Sequence, residues 1–257
     1  MAYQRAERPD TRWAAILAGC TLAFVLAVIA ASAHVRIGSD PARAAPAESI
    51  DAARDVRKGA GAVAAIGVIA LAVAAPVVGA TRAALGVAAV VALAMTVMLS
   101  LVGLATGIGP PPWAAYLNQL GGVLLAGVLG WLFGRASAPL EPFAQSRKLA
   151  RLALLFGVLQ AAFGGALATL LRDPPVLILV LHAATGLAVM CSALALAVAL
   201  GRPQGTLIAA CAVGVPLIGA ASTLAASSTP LQVAHSLGGA MLLACVTHAL
   251  GRLAGNA

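Results

Sequence analysis

The chain has 257 residues, of which 61% are hydrophobic and only 9% charged, and it carries a formal net charge of +8. Its mean hydropathy is +1.00. A soluble core of this length cannot bury so much apolar surface while leaving so few charges outside, so a soluble enzyme or a nucleic-acid-binding domain is excluded.

Crossing the hydrocarbon of a bilayer takes about 20 apolar residues per helix. Eight such runs are read along the chain: 13–35, 59–80, 84–106, 113–134, 149–171, 175–200, 205–226 and 229–251. The expected fold class is therefore all-α: a polytopic membrane protein of eight transmembrane helices in two tandem four-helix bundles. The first run, "TRWAAILAGCTLAFVLAVIAASAHV", ends in an "ASA" that imitates a signal-peptidase site. Its apolar stretch exceeds the roughly 7–15 residues of a secretory h-region, so it is expected to remain as the first span.

The longest connection, "GSDPARAAPAESIDAARDVRKG", separates the first two spans. Asp51, Asp55 and Lys58 fall at helical spacing, which predicts an amphipathic lead-in to the second span. The connections elsewhere are short. With both termini inside, ten of the 16 cations lie on the inner side and six on the outer, in accord with the positive-inside rule. That places both termini in the cytoplasm of a bacterial inner membrane. Cys20, Cys191, Cys211 and Cys245 all fall within spans, without CxxC or CxxCH spacing, and are read as small apolar packing residues.

An internal repeat organises the spans. "VRKGAGAVAAIGVIALAVA" (56–74) aligns with "LHAATGLAVMCSALALAVA" (181–199), sharing an inner glycine and a final ALAVA. "LNQLGGVLLAGVLGWLFGR" (117–135) aligns with "AHSLGGAMLLACVTHALGR" (234–252), sharing LGG and a final GR. "HVRIGSDP" and "TLLRDPP" match more loosely and pair Arg36 with Arg172. The two copies are parallel, since each holds an even number of spans. The organisation is a cytoplasmic N-terminus (1–12), a first four-helix half (13–134), a cytoplasmic linker (135–148), a second half (149–251) and a C-terminal tail (252–257).

The register draws attention to two imidazoles. His182 aligns with Arg57, and His235 aligns with Asn118, so the second half has a histidine at each of two equivalent places and the first half has neither. Counted from the outer ends of their helices, both lie roughly 10 Å below the surface at 1.5 Å per residue. Ionisable side chains at such depth are costly and mark functional sites. Two histidines at one level on alternate helices of a bundle can ligate one haem iron from opposite faces. The bland alternative is a hydrogen bond from each ring to a neighbouring carbonyl. His248, 13 residues after His235, points elsewhere and reads as an interfacial residue near Arg252. His34 ends the first span and reads as a surface residue or as lining the first-half cavity. Arg172, at an outer helix end, is a candidate partner for haem propionates, with an ordinary interfacial arginine as the alternative.

These features together resemble the heme A synthase family. The echoes are "HVRIGSD" after the first span, "LFGVLQAAFGGALATLLRD" on the fifth, "LVLHAATGLAV" on the sixth and "LQVAHSLGGAMLL" on the eighth. The resemblance implies one haem b per chain, its iron held by His182 and His235. It also implies a first-half substrate site served by a carboxylate before the second helix. Here Arg57 and Asn118 stand where that site has histidines. Arg54 stands where its glutamate belongs, and Asp55, the nearest carboxylate, is the implied catalytic residue. The outer-loop cysteine pair of some members is missing.

The expected function is that of a heme A synthase-like membrane protein binding haem b. It serves as a redox or electron-transfer subunit at the outer face, working with redox-complex subunits or a quinone and with the lipid bilayer around it. The alternatives are a genuine heme A synthase oxidising the haem o methyl group, and a non-redox structural membrane subunit.

Overall fold

A computed structural model describes residues 11–40, 45–75, 82–107, 110–140, 145–171, 173–225 and 228–254. Eight helices follow in chain order: α1 (Arg12–Gly38), α2 (Ala47–Ala74), α3 (Arg82–Thr106), α4 (Pro112–Ala136), α5 (Ser146–Thr169), α6 (Val176–Leu200), α7 (Gln204–Leu224) and α8 (Thr229–Leu253). There is no strand among the described residues. All eight are long and apolar enough to cross a membrane, so the protein is an all-α polytopic membrane protein.

Proline marks most of the starts. Pro46, Pro111, Pro175 and Pro203 immediately precede α2, α4, α6 and α7, and Pro230 sits in the first turn of α8. At these places the missing N–H costs no helix bond, and the fixed φ already suits a helix. The one large difference from the hydropathy reading is α2, which begins at Ala47 rather than near residue 59. The charged segment 47–58 is the lead-in that the Asp/Lys spacing predicts, continuous with the apolar span. Asp51 pairs with Arg54 at 2.7 Å and Asp55 with Lys58 at 3.5 Å, one helical turn apart.

Inside the spans, hydroxyls bond back to their own helix. Thr21 donates to the Leu17 carbonyl at 2.7 Å, Thr96 to Ala92 at 2.8 Å and Ser192 to Ala188 at 2.7 Å. Each hydroxyl is thereby satisfied without water, as a hydrocarbon surrounding requires.

Helices α1 to α4 pack among themselves, as do α5 to α8, and the two sets meet through α4 against α8, flanked by α1 on α8 and α4 on α5. Lipid tails are as apolar as leucine, so helices in a membrane associate through close packing rather than through a hydrophobic drive. The α4–α8 crossing is built accordingly. A Cβ at Gly134 would collide with the His248 carbonyl, and a Cβ at Gly251 would collide with the Trp131 carbonyl. The repeat register pairs Gly134 with Gly251 and Trp131 with His248, so the two approaches are one contact made twice. Gly130 and Gly134 form a GxxxG face that lets the backbones touch.

Candidate functional site

The structure brings His182 and His235 together. Their ring centroids are 6.5 Å apart with planes at 73°. Neither imidazole stands free in the bundle, because each lies over a glycine of the helix before its own. A Cβ at Gly164 of α5 would stand 3.0 Å from Cε1 of His182, and a Cβ at Gly219 of α7 only 2.7 Å from Cε1 of His235. Any larger residue at these two positions would push the rings aside.

The ring nitrogens are engaged unequally. Nδ1 of His235 lies 3.0 Å from the Val215 carbonyl. A carbonyl only accepts, so Nδ1 carries the proton and Nε2 keeps its lone pair. At His182, Nε2 contacts the side-chain amide nitrogen of Gln160 at 3.3 Å, and Nδ1 is buried without a partner. Among the described residues each ring thus shows one nitrogen in a hydrogen bond, Nε2 at His182 and Nδ1 at His235.

The ring separation is the part of the arrangement that can be set against a metal centre. Two metal–imidazole bonds of about 2.0–2.1 Å, added to the depth of each ring, span roughly 6–6.5 Å between centroids. The observed 6.5 Å matches that span. Among the described residues no group of three or more His, Cys, Asp or Glu comes together, so the two histidines have no third ligand of those types. Few residues around the pair are buried, at the end of the bundle opposite the termini. Across 158–169, 176–188, 213–224 and 229–240, the buried residues among those described are Gly165, Thr229 and Ala240. Core packing in this half lies at the other end, around Ala150, Ala153, Val189, Ala193, Leu196, Ile208, Ala212 and Val246.

A scan of protein-family models gives no match, and a search of curated proteins gives none either.

The remaining candidates are dispersed. Arg172 lies outside the described residues. Arg36, its partner in the repeat, donates to the Ala168 carbonyl at 3.1 Å and so caps the last turn of α5. Asp55 is exposed and engaged with Lys58. Arg57 is exposed on the lead-in of α2, and the neighbouring carboxylates are bonded to Arg54 and Lys58 rather than to it. His34 is half-buried, its Nε2 3.3 Å from the Ser49 hydroxyl, which itself donates to the Pro46 carbonyl. His248 lies near Arg252 toward the end of α8, as the sequence reading had it. Its ring packs on Phe133 with centroids 4.5 Å apart, at the crossing of α4 and α8, because Gly134 lets the two backbones close there.

Sequence reasoning missed two features. Gln160 and Thr185 form a polar link to His182, with the Thr185 hydroxyl donating to Gln160 Oε1 at 2.6 Å. Cys211 on α7 and Cys245 on α8 pack against the same buried cluster, side by side. Both features join residues on different helices more than 20 positions apart, and no local spacing records them. A lone glutamine in an apolar span was the one available signal.

Proposed function

We propose that the protein is a membrane haem b protein of the heme A synthase type. It holds one haem per chain in α5–α8 and passes electrons at the outer face of a bacterial inner membrane. Both termini are cytoplasmic in this reading, and the electron partners are subunits of a redox complex or a quinone. The observation that carries the proposal is the approach of His182 and His235 to 6.5 Å inside an apolar bundle, where ionisable groups are otherwise avoided. Bound haem would supply a one-electron couple. The chain's own residues do the rest. The two imidazoles hold the iron, Gly164 and Gly219 leave space for the rings, and the α5–α8 helices keep bulk water away.

The first half does not share this equipment. Arg57 stays protonated and an amide such as Asn118 is a poor donor to iron, so neither replaces an imidazole.

The test is the absorption spectrum of the purified protein, oxidised and reduced, with haem quantified per chain. The expected result is a low-spin b-type spectrum at one haem per chain. His182→Ala and His235→Ala should each abolish it, since a single imidazole leaves the iron five-coordinate at best. His248→Ala should retain it. A spectrum bleached by His248→Ala but not by His235→Ala would refute the pairing. Wild-type protein without any haem would leave the structural-subunit reading standing instead.

A further inference from the structure

Helix α3 packs on α4 and α2, and between α3 and α4 a groove of about 610 Å³ opens on the outside of the bundle. Its lining is Ala84, Val87, Ala88 and Val91 of α3 with Val128 and Trp131 of α4. The four α3 positions step by three and four residues, so they form one stripe of that helix. Ala84, Val87 and Val91 are exposed along it. The volume lies within the roughly 300–1,000 Å³ of ligand pockets, and the lining offers hydrocarbon and one indole.

Charge at the mouth of the groove says what kind of hydrocarbon belongs there. The groove lies at the end of the bundle that carries the termini, where Thr11, just before α1, donates to the Ala136 carbonyl of α4 at 2.8 Å. Val128, Trp131 and Arg135 follow i, i+3 and i+7 spacing, so Arg135 leaves α4 on the groove's side, one turn beyond the indole. Other cations at this end are bonded to carbonyls, Arg147 to that of Leu253 and Arg252 to that of Ala138. Among the described residues no hydrogen bond or ion pair engages Arg135. Carboxylates do not supply a counter-ion either. Among the described residues Asp40, Glu48, Asp51, Asp55 and Asp173 all lie at the opposite end, after α1, at the start of α2 and between α5 and α6.

We propose that the α3–α4 groove is a binding site for an anionic phospholipid of the leaflet at that end. One acyl chain lies along the alanines, valines and Trp131, and the headgroup phosphate rests on Arg135. A guanidinium matches phosphate oxygens with paired N–H groups. Trp131 sits at the depth where an indole is at home, with its ring among hydrocarbon and its N–H toward the headgroups. Arg82, the first residue of α3, adds a second cation to the same end. A zwitterionic lipid would fill the groove equally well but bring its own cation toward Arg135, so the site selects by charge.

The experiment uses the full chain carrying Trp13→Phe and Trp113→Phe, which leaves Trp131 as the single indole. It is reconstituted into phosphatidylcholine vesicles that contain brominated phosphatidylglycerol or brominated phosphatidylcholine at equal mole fraction. Bromine on an acyl chain quenches an indole that it touches. Quenching of Trp131 should show a preference of about fivefold for the anionic lipid, the scale set by one cation near the membrane surface. Arg135→Gln should bring that ratio close to one. Arg202→Gln, at the same end but between α6 and α7, should leave it unchanged. Ala84→Phe fills the groove from an exposed position and should weaken quenching by both lipids. Equal quenching by the two lipids without further substitution would reduce the groove to ordinary lipid contact and overturn the proposal. So would a preference lost as fully in Arg202→Gln as in Arg135→Gln, which would assign it to diffuse surface charge. Trp131 quenched by neither lipid would mean that another occupant, such as a second copy of this chain, covers the groove. Should Ala84→Phe fail to fold, the ratio in Arg135→Gln decides alone. None of these readouts involves haem, so the site stands or falls apart from the functional reading above.

Discussion

The two four-helix halves share a register but spend their interiors differently. In α1–α4 the buried cluster runs through Ala18, Val25, Ala64, Val68, Leu71, Ala92, Leu125 and Leu129, and packing continues toward the C-terminal end of α1 through Ala31, Ala33, Ile37 and Gly38. Side chains occupy the gaps that glycines leave: a Cβ at Gly121 would stand 2.5 Å from Leu99, and one at Gly122 would stand 3.5 Å from Ile29. In α5–α8 the gaps beside Gly164 and Gly219 are occupied by imidazoles instead, and few residues are buried at that end of the bundle. Carrying the Arg36–Arg172 pairing along the helices sets Phe24 against Gln160 and Val28 against Gly164. The first half thus lacks the histidines, the glycine that makes room for one of them, and the glutamine beside it. One scaffold fills these places with apolar side chains; the other fills them with imidazoles and an amide.

The most severe way to break this comparison is to fill the second half as the first is filled. Gly219→Ala puts a methyl group 2.7 Å from the His235 ring, which is also tied to the Val215 carbonyl at 3.0 Å and so cannot simply swing away. Groups that orient a ligating imidazole are worth about 10- to 100-fold in affinity. Haem retained after purification should fall by at least about tenfold on that scale. Gly103→Ala, where a Cβ meets nothing within 4 Å, should change nothing. Equal haem content in the two variants would mean that the glycine does not shape the site.

A milder manipulation runs the other way. Arg57→His together with Asn118→His restores imidazoles at the two vacated places. Because Phe24, Val28 and Leu99 still occupy that half, the ratio should stay near one haem per chain. A ratio near two, measured by haem extraction against protein mass, would show that the histidines alone distinguish the halves.

How much of this was legible beforehand follows from what sets each feature. Span existence is a matter of local hydropathy, and α6 at Val176–Leu200 lies within one residue of the run read at 175–200. The start of α2 was harder, since 47–58 is charged and only its i,i+3 and i,i+4 spacing shows a helix. The meeting of His182 with His235 was approachable because both count the same distance from a helix end. The contacts of Gln160 with His182, of Cys211 with Cys245 and of His248 with Phe133 depend on how neighbouring helices rotate about their axes. Hydropathy is nearly uniform around these spans, so the sequence carries almost no record of that rotation.

The smallest expected effect separates the preferred reading from the enzyme reading. Asp55 is the carboxylate that the family resemblance would make catalytic, yet its ion pair with Lys58 is 3.5 Å long, with side chains 79% and 74% exposed. Exposed pairs of this kind are worth about 0–1 kcal/mol and are screened by salt. Among the described residues no other hydrogen bond or ion pair holds Asp55 against the first-half interior, where an oxidised methyl group would have to sit. Asp55→Asn should therefore leave the haem spectrum unaltered and shift unfolding by no more than about 0.5 kcal/mol. The decisive measurement expresses the wild-type chain and Asp55→Asn beside a haem o source, in a host without its own synthase, and analyses the extracted haems by mass. Haem o unconverted by either chain is the expected outcome. Haem a made by the wild-type chain and lost in Asp55→Asn would give the first half a working site, and the contrast between the two halves would then be one of substrate and cofactor rather than of apolar side chains and imidazoles.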